Sequence, residues 1–280
     1  RVAPGGPFDS DKTLPEAVQA NLDAKYNLDQ PLFSQYVSYL GSVLRGDLGP
    51  SFQYSDFTVN ELIADGFPVS IRLGATALAL ALILGVAIGT LAAWSQNSRL
   101  DYALMGSAMT GIAIPNFVLA PILILVFAVY FGWLPAGGWG GGEIRNMVLP
   151  VIALSLPYMA YVARLTRGSM VETLRSDFVR TARAKGLPEW KILGKHSLKV
   201  AILPVVSYLG PATAAILTGS VVIEQIFGLP GMGRFFVQGA LNRDYTLVMG
   251  VVIVIGLLIV VFNLIVDIIY ALIDPRIRYE

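Results

Sequence analysis

Asp267 is the one ionisable side chain set inside a long apolar run, and Asn263 precedes it by four residues, on the same face if the run is helical. A carboxylate within a membrane span could carry a proton or hold a cation. Asp267 lies about two turns from the end of its run, so an interhelical hydrogen bond or a place at the membrane boundary is the stronger reading. Glu224 closes another apolar run and is followed by Gln225-Ile226-Phe227-Gly228-Leu229-Pro230-Gly231-Met232-Gly233. Three glycines and a proline in six residues predict either a tightly folded or re-entrant outer loop, or a plain turn into the amphipathic segment Arg234–Leu241. Pro115 with Asn116 beside it, Pro121, Pro204 and Pro211 fall within or near apolar runs. Proline removes a backbone donor and bends a helix, which makes either a cavity or hinge, or a static kink that eases packing.

Other chemistries lack their residues. The chain has no cysteine and a single histidine, His196, which removes thiolate metal sites, a cysteine nucleophile and any two-histidine site. HExxH does not occur, and one intramembrane acid cannot make an aspartyl dyad. No GxxxxGK[ST] loop is present: Gly194-Lys195 is followed by His196, and Lys12-Thr13 lacks its glycine. A formal charge of +1 gives no reason to propose nucleic acid as a partner. Any energy-driven process must draw on a partner or an ion gradient.

The elements that position these residues follow from where charge is missing. The 280 residues are 55% hydrophobic and 14% charged, and no charge occurs in 73–98, 102–142, 146–163, 200–223 or 245–266. A helix needs about 20 apolar residues to cross a bilayer core. The pattern predicts an all-α integral membrane protein with five spans, near 71–94, 107–131, 148–166, 200–223 and 247–273. Solid apolar runs exclude the alternating segments of a β-barrel. The glycines at 85, 89, 106, 111, 210 and 219 suit close helix contacts. Nine lysines and arginines in 164–199 put that loop, with the tail 274–280, on the cytoplasmic side and residues 1–70 outside. The start Arg1-Val2-Ala3-Pro4, without Met and ahead of an odd number of spans, suggests that a first transmembrane helix is missing.

Within 1–70, Leu14–Tyr26 is amphipathic and Pro31–Leu44 carries apolar residues at helical spacing, forming either a surface for a delivery protein or a lid packed on itself. In the cytoplasmic loop, Ser176 or Asp177 can cap a short helix that Gly186 and Leu187-Pro188 stop. Spacing alone leaves two uses for it: a knob for a partner's groove, or a basic loop facing anionic lipid.

Arg180-Thr181-Ala182-Arg183-Ala184-Lys185-Gly186-Leu187-Pro188 resembles the cytoplasmic coupling motif of binding-protein-dependent ABC importer permeases. That motif is usually Glu-Ala-Ala, three residues, then Gly. Here Arg180 and Thr181 take the first two places, while Ala182 and Gly186 match. Beyond the glycine, where the wider pattern has an apolar residue, leucine and proline, this chain has His196, Leu198 and Lys199. Such departures are typical of the peptide-transport branch. The stretches RVAPGGPFD (1–9), GDLGPSF (46–52), MTGIAIPNF (109–117), RLTRGSM (164–170), TGSVVIEQIFGLPGMG (218–233), ALNRDY (240–245) and DPRIRY (274–279) resemble its oligopeptide B-type subunits in the same order.

The resemblance implies a type I ABC importer transmembrane domain in the bacterial cytoplasmic membrane, forming half of a translocation pathway. Its implied partners are a second homologous permease, two cytoplasmic ABC ATPase subunits, an extracytoplasmic peptide-binding protein and membrane lipid. ATP and magnesium would be bound by the ATPases, with no cofactor in this chain. Asp177, Phe178, Arg180, Thr181, Ala182, Arg183, Lys185, Gly186 and Leu187 would then couple to an ATPase. Pro115, Asn116, Glu224, Gly228, Pro230 and Gly231 are candidates for the pathway or its outer gate. Dipeptide or nickel importers of the same family are the near alternative. An ion-coupled carrier is the remote one, because the chain offers one marginal acid and no internal repeat.

Overall fold

The computed structural model describes residues 29–54 and 56–273, so the amphipathic stretch Leu14–Tyr26 and the tail 274–280 lie outside the described residues. Apart from one bridge between Pro50 and Thr58, no strand pairing occurs among the described residues. Helix α1 (Leu32–Val43) occupies the stretch whose apolar spacing predicts it. Helix α2 (Val59–Trp94) starts at a capping box, in which Glu61 N–H donates to Thr58 Oγ1 and the Glu61 carboxylate accepts from Thr58 N–H. Its 36 residues span about 54 Å, more than the roughly 30 Å bilayer core. The helix therefore starts well ahead of the apolar run that hydropathy alone marks as the span.

The second span is not straight. Helix α3 (Arg99–Ala113) and α4 (Asn116–Leu123), which runs on as a π-helix through Ile124–Tyr130, meet at 106°. The cause is local: Pro115 has no N–H to continue the ladder, and Ile114 before it adopts the extended φ −98°, ψ 117° that a following proline favours. Helix α5 (Ile144–Leu174) runs through Pro150 and Pro157 and ends just before the short helix α6 (Asp177–Ala184). Glu189–Lys191, a π-helical turn at Ile192–Ser197 and Leu198–Ala201 lead into α7 (Leu203–Phe227). Helices α8 (Met232–Leu241) and α9 (Tyr245–Ile273) complete the described chain. Four helices, α2, α5, α7 and α9, are long and apolar enough to cross a membrane, and the bent α3–α4 pair brings the number to five if it crosses as one broken span.

Packing between α2 and α5 is the closest of the bundle and depends on missing side chains. A Cβ on Gly85 would stand 2.8 Å from Met159 O, and one on Gly89 would stand 2.5 Å from Ala163 O. These glycines, four apart, form the small-residue stripe that lets membrane helices approach backbone to backbone. Gly111 uses the same device against Leu156 O, and Gly210 against Asn263 of α9. Gly106, by contrast, has nothing near it. Leu73, Ala77, Leu149, Leu154, Ile216 and Phe227 fill the central core, to which α2, α5 and α7 each contribute. Of the four long helices, α9 buries least within the chain.

At the end of the bundle that carries α6, one ion pair joins α3 to α5. Arg167 grips Asp101 with both nitrogens, Nε to Oδ1 at 2.7 Å and Nη2 to Oδ2 at 2.6 Å. Asp101 is 1% exposed and also accepts from Asn97 N–H at 2.9 Å. Arg167 keeps 29% of its side chain exposed, so removing its partner leaves a partly solvated charge unpaired, at a cost of about 1–3 kcal/mol. D101N should therefore lower the thermal midpoint of the assembled protein in detergent, and D101N/R167Q should recover part of the loss. Additive losses in that double variant would deny the pair its role.

Candidate functional site

Most of the residues expected to act fall in two places, α6 and the far end of α7. The first is α6. Ser176 stands at its N-cap with extended φ/ψ, but its hydroxyl turns back to donate to Thr173 O at 2.6 Å instead of capping the helix. The stop is a Schellman arrangement: Gly186 N–H donates to Arg183 O at 2.9 Å and Leu187 N–H to Ala182 O at 3.3 Å. Gly186 has φ +73°, which a residue with a Cβ adopts only at a cost.

One face of α6 is glued down and the other is free. Val179 and Ala182 are buried against Ile192, with Leu174 and Leu187 closing the contact. Asp177, Phe178, Arg180, Thr181 and Lys185 are exposed, and Asp177–Arg180 is a surface pair worth little. Arg183 instead ties the helix end to the next segment, reaching Glu189 at 2.8 and 3.2 Å. Its hydrogen bonds hold the Glu189 carboxyl below the ordinary glutamate value. A depressed value means that the tie contributes at neutral pH and is lost as the pH falls through that lowered value.

The second place is the outer end of α7, which continues past Glu224 to Phe227. Gly228 ends it in the left-handed region at φ +63°, with Leu229 N–H returning to Glu224 O at 2.8 Å. Glu224 is 0% exposed. It accepts from Ser70 Oγ of α2 at 2.7 Å and from Gly233 N–H, in the first turn of α8, at 2.7 Å. Ser70 Oγ in turn accepts from Met232 N–H at 2.9 Å. A Cβ on Gly231 or Gly233 would run into the Glu224 carboxylate, so both positions need glycine for room. The outer segment is thus a tight turn locked under α8. Pro230 is half-buried in that turn.

Pro115 and Asn116 belong to neither place. They form the corner between α3 and α4, where Asn116 Oδ1 is buried without a hydrogen-bond partner. Asn263 lies against Gly210 of α7, and Asp267, one turn on, is exposed on α9.

Two buried acids escape a reading by hydropathy. Asp101 is one, described above. Asp244 is the other: it is 0% exposed and caps α9, accepting from Leu247 N–H at 3.1 Å and Thr246 Oγ1 at 3.0 Å. Its other oxygen accepts from Ser51 Oγ at 2.5 Å and from Phe52 and Gln53 N–H, both at 3.1 Å. The available signals were caps. Ser98-Arg99-Leu100-Asp101 has capping-box spacing, and Asp244 immediately precedes an apolar run.

Residues 85–279 match the family model described as binding-protein-dependent transport system inner membrane component. The chain is 58% identical over 279 residues to the oligopeptide transport system permease protein OppB of Haemophilus influenzae, covering 100% of this chain and 91% of that protein. Identity to the OppB protein of Escherichia coli is 57% with the same coverage. To the dipeptide transport system permease protein DppB of Bacillus subtilis it is 48%, over 99% of this chain and 90% of that one. Among solved structures, an inward-facing form of the MetNI methionine ABC transporter superposes with a TM-score of 0.65 at 16% identity, covering 76% of this chain and 96% of that chain. An amino acid ABC transporter with histidines gives 0.54 at 19%, covering 78% and 95%.

The lock at Glu224 makes a specific demand. Its partners, Ser70 Oγ and Gly233 N–H among them, donate, so the amide NH2 of E224Q would face a donor, and at least one buried hydrogen bond would be lost at about 1–3 kcal/mol. E224Q should lower the thermal midpoint and quicken protease cleavage at 228–231. Unchanged cleavage and midpoint would mean that the turn holds without this carboxylate.

Proposed function

This chain belongs to the family of binding-protein-dependent transport system inner membrane components, and from that premise we propose how it works. It is a permease subunit of a peptide ABC importer in the inner membrane, and it operates with ATPase and binding-protein partners. Oligopeptides are the substrate class that its most similar relatives named above favour, with dipeptides the second reading from the Bacillus subtilis relative.

The observation that carries the mechanism is the half-free, half-glued helix α6. Its exposed residues, Asp177, Phe178, Arg180, Thr181 and Lys185, enter a cleft of an ATPase subunit, while Val179 and Ala182 stay on Ile192. ATP and magnesium bind in two such subunits, and a second, homologous permease completes the pathway. When the ATPases close, α6 is displaced. The Schellman stop and the Arg183–Glu189 tie prevent the helix end from absorbing that movement. The displacement passes to α5, then across the Gly85–Gly89 contact to α2 and across Asp101–Arg167 to α3. Cores repack between discrete arrangements rather than stretch, so the bundle moves as a body and the pathway alternates its opening. Residues 1–70 face the binding protein. The Glu224 lock holds the outer end of α7 to α2, and the Pro115–Asn116 corner lies on the path.

Purification of the tagged protein in mild detergent should recover a second permease and two ATPases in near-equal amounts. A homogeneous self-oligomer without ATPase would overturn the reading. Within the complex, G186V forces a β-branched residue into a left-handed position at about 1–2 kcal/mol, with no steric clash to disturb assembly. Peptide imported per ATP should then fall several-fold in proteoliposomes; a wild-type ratio would remove α6 from coupling.

A further inference from the structure

We propose that the strip from Trp190 to Lys199 binds the headgroups of anionic phospholipid and so sets the height at which α6 is presented. Part of this rests on α6 being the ATPase-docking helix; the lipid site itself does not.

The strip has two sides. Ile192, Ser197 and Ala201 are fully buried, and Leu193 and Leu198 pack with Ala93 and Met170 at the ends of α2 and α5. On the outer side Trp190 is 70% exposed, with Lys191 Nζ 5.2 Å from its ring centre. Lys191, Lys195 and Lys199 recur every four residues, all exposed. Leu187, Trp190, Lys191, Gly194, Lys195 and His196 line an open cleft of about 620 Å3. The strip holds no acid, its neighbour Glu189 is taken by Arg183, and none of the three lysines has an ion-pair partner among the described residues. This side is an aromatic and cationic surface without a counter-ion.

Its level points to lipid. Ala201 stands two residues before α7 begins to cross, and it shares a cluster with Ala93, the neighbour of Trp94. Leu193, three residues on from Trp190, packs on that same cluster, and Trp94 is 56% exposed. Tryptophan favours the membrane boundary, where its ring is half in hydrocarbon and its N–H is wet. The choice of cation agrees. Lysines are depleted from the cores of protein interfaces but bind phosphate well as point charges. Ile192 is also the floor on which Val179 and Ala182 rest, so a strip held to the leaflet holds α6 as well.

The test uses the assembled importer in nanodiscs of phosphatidylcholine with graded phosphatidylglycerol. Bromine is carried high on the acyl chains of one lipid or the other, and the emission of Trp190 is taken as wild type minus W190F. Phosphatidylglycerol-borne bromine should quench that emission more than the same mole fraction on phosphatidylcholine. Each lysine near an anionic surface contributes about fivefold, so K191Q/K195Q/K199Q should reduce the preference at least about tenfold. High salt should reduce it in the wild type, which keeps the test valid should the triple variant fail to assemble. Equal quenching from both headgroups, a preference indifferent to salt, or no quenching because an ATPase covers Trp190 would each overturn the proposal. Loss of the ATPases from the purified complex would instead count against the coupling reading and leave the lipid preference standing.

Discussion

Three buried carboxylates, each satisfied at the start of a helix, hold this bundle in register. A carboxylate removed from water has a large desolvation cost unless donors surround it, and helix N-termini present unpaired N–H groups with a favourable dipole. Glu224 sits at the start of α8 with Ser70 of α2 as its second donor. Asp244 caps α9 while gathering Ser51, Phe52 and Gln53 onto its other oxygen. Asp101 lies in the first turn of α3 and is met by Arg167 of α5. Each acid joins segments far apart in sequence. Dispersion between apolar faces is weakly directional in lipid, so polar bolts of this kind decide which helix sits against which.

Between the bolts, the bundle is built for close contact and for one deliberate break. Gly85 and Gly89 bring α2 onto the backbone of α5, and this makes a rigid pair that ends close to α6. Pro115 turns the chain through 106° between α3 and α4. The unpartnered Asn116 Oδ1 at that corner is a buried polar atom inside a membrane protein, where such atoms usually find partners. The closely packed pair leads into α6 and stands beside the sharply bent pair α3–α4.

The membrane character, the helical class and the four long apolar helices were legible in the charge-free windows, because a bilayer requires length and apolarity and nearly nothing else. The stop of α6 was legible too: Gly186 before Leu187-Pro188 is local chemistry, and local chemistry folds the same way wherever it stands. Legibility ended at interactions that need a distant partner. Glu224 closes an apolar run in sequence, and nothing local shows that Ser70 of α2 and Gly233 of α8 bury it completely. Asp101 and Asp244 lie among ordinary loop acids by composition, although both are buried.

By itself the sequence determined which long segments are apolar enough to cross a bilayer, where the short helix α6 begins and ends, and that it carries no GxxxxGK[ST] loop. All of these depend on periodicity, capping and hydropathy within a few turns of chain. Only the tertiary structure decided the size of the turn at Pro115, the reach of α2 beyond its apolar run and the partners of the three buried acids. It also decided that Trp190 stands exposed with Lys191 over its ring. Each acid meets a partner between 66 and 193 residues away, and no local pattern records which neighbour wins.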